Sequence, residues 1–570
     1  MFTSPADRGI AYYFVHAGRA KIMISVNRNR LKKLVLVCAS ACLFVVIPIT
    51  GQDAKTVLMN TAKAMGAENL RTIQVSGTGS HSVDIGQNKN PDVPWPIGRV
   101  RTYTQQMDLD AGRSSVRLVR VQNGVEETLI ESISADSPWN NQFRFWLTPF
   151  GFIKGALANN ATISPTKIAG VPYTLVTFVV QNKYRVAGYI DEKNLVYRVE
   201  TWIDDDVLGD MLTEVWFNDY KDFDGVKFPT LIVEKQSGHP VLILSISGIK
   251  TNGPVSIPPP SAIPVARDAA VQTDKVAEGV YYLKGGTHHS VVVEFSDHAV
   301  LIEAPLNEQR SLAIIGEVKK LMQNKPIRYV VNTHHHFDHS GGLRTFVDAG
   351  AAIITHESNS KFFSTALSAP RTLNSDALAR SQKKPVVEGV AEKRSLSDSL
   401  RTLDLHVVKD NPHHDGILIA FLPKEKMLIE ADVYTPARAA DRETASLIDN
   451  VERLKLDYDA ILPLHGAVKP ARADLYAAIN RPLRDMKDIM AAQVAATPAP
   501  GQRGGSAGPV PAGRQILERS CNSCHNLGRV ERKRDETEWR MIVERMQERG
   551  AVLSETEADT LLEYLIKTFS

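Results

Sequence analysis

Cysteine is almost missing from this chain: there are four among 570 residues, and two of them, Cys38 and Cys42, fall within the first fifty. Beyond residue 51 only Cys521 and Cys524 remain, so no disulfide framework staples the fold and these two thiols need another explanation. An excess of charge is lacking too. The formal net charge is +3, which offers no basic surface to a nucleic acid. There is no internal repeat. The apolar run from Leu34 to Ile49 is too short for a comfortable membrane span.

That run does have a use. Arg28, Arg30, Lys32 and Lys33 precede it, the basic-then-apolar order of a secretory signal, with cleavage expected near Gly51 and a start that reads best from Met23. Residues 1–51 carry seven basic side chains and one acidic one, so without them the net charge falls from +3 to −3. We expect a protein exported to the periplasm, meeting the membrane only through this signal.

A chain of this length exceeds one hydrophobic core, and its composition, 43% hydrophobic and 23% charged, is that of globular domains. The spacing predicts a helix over Asp53–Met65. Short alternating segments follow, among them Arg99–Met107, Ser115–Val121, Tyr173–Val180, Val196–Ile203 and Val241–Ile246, with turn signals such as Asp224-Gly225 between them. Residues 52–253 therefore read as an antiparallel β domain with a helix. The opening helix, the strand around Thr72–Gly79 and the segment from Tyr220 through Asp224-Gly225-Val226-Lys227-Phe228-Pro229 resemble the lipoprotein-carrier fold, which implies a curved sheet around an apolar cavity.

Residues 254–264, with Pro258-Pro259-Pro260, read as a stiff linker. Residues 265–495 alternate strands (Val280–Leu283, Ser290–Phe295, Ala299–Glu303, Ile327–Asn332) with a helix over Arg310–Gln323, an α/β pattern. Residues 496–512, rich in Pro, Gly and Ala, read as a flexible linker, and 513–570 as three short helices.

The run Thr333-His334-His335-His336-Phe337-Asp338-His339-Ser340-Gly341-Gly342 follows an apolar strand, where α/β folds place chemistry. Imidazole and carboxylate in this density suit a zinc or iron ion. The run carries the His-x-His-x-Asp-His signature, and we identify the region as similar to the metallo-β-lactamase superfamily. Asn411-Pro412-His413-His414-Asp415-Gly416, Met427-Leu428-Ile429-Glu430-Ala431-Asp432 and Ile461-Leu462-Pro463-Leu464-His465-Gly466 follow in the family's order. The resemblance implies an αββα fold and two divalent ions. His334, His336 and His413 would hold one; Asp338, His339 and His465 the other; and Asp432 would bridge them. The family spacing favours His413 over His414. Such a pair of ions lowers the pKa of a shared water to about 7, giving a hydroxide nucleophile that Asp338, the catalytic acid residue, would orient.

Glu303 stands where the family usually has Asp. The absence of cysteine from this region excludes the subclass with a Cys ligand, and His336 stands where flavo-diiron oxidases usually have Glu. The pattern looks most like the glyoxalase II and general hydrolase branch. His356, in Thr355-His356-Glu357, reads as a residue that supports the ligands from behind or as a structural one. His288 and His289, in a loop after Gly285-Gly286-Thr287, border the cleft in this reading or serve only as loop residues.

Cys521-Asn522-Ser523-Cys524-His525 is a Cys-x-x-Cys-His motif: two thioether anchors for a haem and an immediate proximal ligand. The tail resembles small monohaem cytochrome c domains, with an all-α fold. By that resemblance Met546, ahead of Met541, is the distal ligand. The alternative for either methionine is helix packing, with Met541 and Val543 joining Leu553 and Leu561 in a small apolar core.

Together these readings give an exported dinuclear hydrolase of ester, thioester, lactone or related bonds. Its cofactors are two metal ions, zinc ahead of iron, and one covalent haem c. Its partners are a small-molecule substrate and a redox protein, with no nucleic acid. Two rival readings stand beside it. One is an iron-dependent redox enzyme, similar to the sulfur dioxygenases, that passes electrons through the haem. The other is a binding protein for an apolar ligand.

Overall fold

The computed structural model describes residues 53–487, 489, 511–517, 534–548, 553 and 555–569, apart from 83, 123–124, 261–269, 324, 437–441 and 467–468. The leader and most of the linker 496–512 lie outside the described residues. Two compact units emerge, residues 1–484 and 485–570.

The first unit opens with a helix, Ala54–Ala64, whose first turn is capped by the Asp53 carboxylate accepting from the Thr56 amide at 2.7 Å. Eleven strands then form one antiparallel sheet. The hairpin joining Gly209–Phe223 to Val226–Gln236 turns on Asp224 and Gly225, both at positive φ, as the Asp-Gly pair predicts. The sheet's first strand, Thr72–Ser82, pairs with its last, His239–Thr251, with Ile73 opposite Thr251.

One expectation needs correction here. Within the stretch read as uninterrupted strands, Trp139–Trp146 and Pro149–Ala158 are helices. Their aromatics, Phe143, Phe145, Phe150 and Phe152, form much of the domain core and are at most 2% exposed. Burial on several sides of a short segment blurs the periodicity by which a helix is recognised. The first of these helices touches the edge strand Val125–Ile133 and also Val196–Asp205 in the other half of the sheet, so the sheet curls around it.

Residues 272–478 form four layers, helix on sheet on sheet on helix. One sheet has seven strands and the other five. The strands are buried on both faces, and alternation sorts their side chains. Val291, Val293, Val300 and Ile302 face Leu418, Ala420 and Leu422 between the sheets. Val292, Ala299 and Leu301 point outward, under Ile314 and Val318 of the helix Glu308–Leu321. On the far side Ile417, Ile419 and Phe421 meet Leu447, Ile448 and Val451 of the helix Arg442–Leu454. The chain is thus multidomain, with a large β-rich N-terminal region followed by a sandwich of two sheets.

In the second unit the helices Ala512–Ile516, Glu536–Glu548 and Glu555–Phe569 share an apolar core of Ile516, Trp539, Val543, Leu561 and Leu565. Val543 and Leu561 pack as the sequence suggests, whereas Met541 is 49% exposed and joins no core.

Candidate metal centre

Every residue of the candidate site follows a strand at one edge of the sandwich. His334 to His339 come after Ile327–Val331, and His413 after Thr402–Val408. Asp432 comes after Met427–Glu430, and His465 after Ala460–Pro463. The glycine pair closing the histidine run is sterically required. A Cβ on Gly341 would run into the carbonyl oxygen of Leu306.

Three donor groups result, each with its ligand atoms within 4.8 Å of one another; His335, His336 and His414 form one of them, which has no carboxylate, and the other two share one cleft. Of these two, the first is His334, His336, His413 and Asp432; the second is His288, Asp338, His339 and His465. In the first group three imidazole nitrogens converge. Nε2 of His334 and Nε2 of His413 lie 2.9 and 3.1 Å from Nδ1 of His336. The opposite nitrogens are anchored: His334 Nδ1 lies in hydrogen-bond contact with Thr333 Oγ1 at 2.9 Å, and His336 Nε2 donates to the backbone carbonyl of Asn88 at 3.0 Å. Both bonds orient their rings, and the carbonyl, which can only accept, fixes the His336 tautomer and leaves its Nδ1 lone pair directed at the centre. Burial, reinforced by His413 and His339, pulls His336 down to about 3, so this imidazole is neutral at pH 7, the form that ligates.

Asp432 joins the two groups. Its Oδ2 lies 3.0 Å from His339 Nε2 and 3.2 Å from His413 Nε2, while Oδ1 lies 3.2 Å from His465 Nε2. Its backbone sits in the left-handed region, φ +62°, unusual for a residue with a side chain. The turn is held by buried Glu430, whose Oε2 accepts from the amides of Val433 and Tyr434 at 3.2 and 3.1 Å. Glu303 is fully buried and accepts from the Thr333 amide at 2.6 Å and from His339 Nδ1 at 2.9 Å. The longer acid therefore reaches the ligand run from the neighbouring strand.

In the second group His288 Nε2 donates to Asp338 Oδ2 at 3.0 Å, and its ring lies 3.9 Å from that of His465. The sequence left His288 between cleft residue and loop residue; the structure puts it among the donors. His289 instead accepts from the Gly285 amide. His414 is turned away, bonded to His335, whose Nε2 donates to Asn88 Oδ1 at 2.8 Å. His356 caps the helix Glu357–Ala366. Cys521, Cys524 and His525 lie outside the described residues, and only the backbone of Met546 is described, within Glu536–Glu548.

The β domain enters this site, which the sequence did not reveal. Gln87 Nε2 donates to Asp338 Oδ1 at 2.6 Å. Lys89 and Asn90 both bind Asp415, at 3.1 and 2.7 Å. Gly86, at φ +79°, lies so close to the Phe337 ring that a Cβ would overlap it. The segment's only sequence signal is a polar, proline-rich composition, which marks a loop and says nothing of its neighbour.

Asp338, His413 and His465 are each about a quarter exposed, and they line a cleft of about 670 Å³ with Gln87, His336 and Asp432. Imidazole nitrogens and carboxylate oxygens, buried, pre-oriented and split around one shared acid, fit two divalent ions. The arrangement is that of a metallohydrolase-fold enzyme. Residues 283–433 match the family model of the metallo-beta-lactamase superfamily, so the chain carries a domain of that superfamily. No curated protein matches the chain. Solved structures similar to it include a metallo-beta-lactamase from Pontibacter korlensis, at 17% identity over 37% of this chain and 98% of that one, with a TM-score of 0.30. Another is a metallo-beta-lactamase from Hirschia baltica, at 16% identity over 38% and 99%, TM-score 0.30. The metallo-beta-lactamase FIM-1 from Pseudomonas aeruginosa, in a mono-zinc form, has 18% identity over 41% and 99%, TM-score 0.29.

Proposed function

We propose that the protein is an exported dinuclear metal-dependent hydrolase of ester, thioester, lactone or related bonds, with a tethered c-type haem. The observation that carries the hydrolase reading is Asp432, one carboxylate oxygen turned to His465 and the other to His413 and His339. His334, His336 and His413 would hold one ion, Asp338, His339 and His465 the other, with Asp432 between them; zinc suits this donor set, and iron is the second choice. Bound there, two such ions supply Lewis-acid polarisation of the scissile carbonyl and a lowered pKa for water.

The chain's own groups do the positioning. Burial opposes the charge on Asp338, but hydrogen bonds from His288 and His465 outweigh it and hold the carboxyl well below the ordinary range. An ionised Asp338 orients the attacking water through a carboxylate oxygen. Gln87 on Oδ1 and His288 on Oδ2 keep that carboxylate from rotating. The Cys-x-x-Cys-His motif and the leader support the haem and the export.

The test is metal analysis of protein made in the periplasm with a haem-attachment system, followed by a panel of esters, thioesters, lactones, β-lactams and phosphodiesters. Two zinc ions per chain and turnover of at least one class are expected. Two zinc ions with no turnover of any class defeats the reading; iron with haem-coupled electron release supports the redox enzyme instead.

A further inference from the structure

The β domain contains a cavity of about 490 Å³, within the roughly 300–1,000 Å³ range of small-molecule sites. Its walls are largely apolar, with Met107, Leu118, Phe143, Phe150, Phe217 and Leu244 among them. Four of the polar side chains that reach it are bonded in two pairs. Arg144 Nη1 donates to Glu131 at 3.1 Å, and Gln236 donates to Glu234 at 3.1 Å. Burial pushes the Glu234 carboxyl up, toward its neutral form. With Arg144 and Glu131 paired and Glu234 held toward its neutral form, the apolar walls offer their surface to a chain of methylenes.

The cavity ends at the metal centre. Asp84, Gln87 and Asp338 line it, and the same three residues line the metal cleft. Asp338 is the acid assigned above to the attacking water. A molecule seated in the cavity therefore presents its exit end to the hydrolytic residues.

We infer that this cavity receives the hydrocarbon chain of the substrate, an ester or thioester of a long-chain acid whose scissile carbonyl lies beside Asp338. The inference rests on the hydrolase reading. The step is ordinary hydrolysis: water adds its oxygen to the acyl carbon, the carbon–oxygen or carbon–sulfur bond breaks, and the leaving alcohol or thiol takes a proton. The acid and the alcohol or thiol are the products, and no other reactant is needed.

The test compares p-nitrophenyl acetate, butanoate and octanoate on the zinc-loaded full chain. A buried methylene contributes about fourfold, so kcat/KM should rise at least tenfold from butanoate to octanoate. Val116→Trp and Ser114→Phe, two cavity-lining positions, should each lower the octanoate-to-acetate ratio at least tenfold. Should neither variant fold, cis-parinaric acid takes over as the probe. It should gain fluorescence on binding and inhibit octanoate hydrolysis competitively; inhibition that is not competitive overturns the inference. Acetate and octanoate cleaved at equal kcat/KM, or a preference for octanoate that survives both variants, also overturns it and leaves the hydrolase reading standing. Zinc-loaded protein that cleaves neither ester overturns the inference, and it overturns the hydrolase reading as well only when thioesters, lactones, β-lactams and phosphodiesters are also left uncleaved.

Discussion

His336, in the middle of the histidine run, donates from Nε2 to the backbone carbonyl of Asn88 at 3.0 Å, so a ring of the metal centre takes its orientation from the β domain. The Asn88 side chain extends the link by accepting from His335 and donating to the carbonyls of Asn90 and Val93 at 2.7 and 2.8 Å.

Asn88→Ala keeps the carbonyl that His336 uses but removes the side chain that holds the loop and His335, so the carbonyl is no longer fixed in place and metal retention should weaken without unfolding either domain. Complete loss of an outer partner of a metal-binding histidine typically costs about 10–100-fold in affinity, which is the upper bound for a variant that only loosens one. Competition with a chromogenic zinc chelator would measure this; unchanged affinity would mean the loop merely rests against the site.

The individual donors should separate by role. His413→Ala should mainly weaken one ion and His465→Ala the other, while Asp432→Ala disturbs both. His334→Ala and Asp338→Ala should each abolish turnover. His288→Ala should resemble His465→Ala in zinc stoichiometry if its ring belongs to the second group. Metal content by mass spectrometry, read with activity on the same preparations, checks all six.

The haem motif predicts a red protein whose colour survives acid–acetone extraction. Cys524→Ser should lose one thioether and much of the holoprotein. Replacing Met546 should remove the Met–iron band in the red and lower the potential, because a thioether ligand raises it. If Met541 is the residue whose replacement does this, the assignment of Met546 fails.

His81 predicts a pH effect on stability. Burial, with Arg120 beside it, lowers this imidazole to about 4, against an ordinary value near 6.5. The unfolded chain binds the proton more readily, so stability is full above about 6.5 and declines as pH falls toward 4. The loss is on the order of 1–3 kcal/mol. Urea unfolding at pH 7 and 4.5 should show it, and His81→Gln should flatten the difference; an unchanged slope would rule His81 out as its source.

A chain ending at Ala495 should fold, hold both ions and keep its turnover, because the compact first unit closes at Arg484. Loss of hydrolysis with both ions retained would instead join the haem to the chemistry.

Much of the site was legible because ligands of this kind cluster in short runs. His334, His336, Asp338 and His339 occupy six consecutive positions, and a strand must precede them. The strands of the sandwich were legible for a similar reason: burial on both faces leaves continuous apolar segments such as Ser290–Glu294. What escaped was the contact made across the fold. Gln87 and Asp338 are 251 positions apart, and nothing in either local sequence announces the other. His288 was undecided because a loop histidine acquires meaning only from what the chain brings beside it, here His465.

The pairing of Thr72–Ser82 with His239–Thr251 also dictates an order of assembly. Closing so long a loop is slow, since its entropy is lost before the contact rewards it. The loop that carries Gln87 and Asn88 joins that first strand to Ile97–Asp108, its local hairpin partner, so the hairpin can form early while the other edge of the first strand waits for the last strand. The hydrolytic domain is made later still, and only then do His336 and Asp338 meet their partners. Competence is therefore a late event in the life of the chain, and pulsed hydrogen exchange should find the first-strand amides that bond to the last strand protected no earlier than the last strand's own.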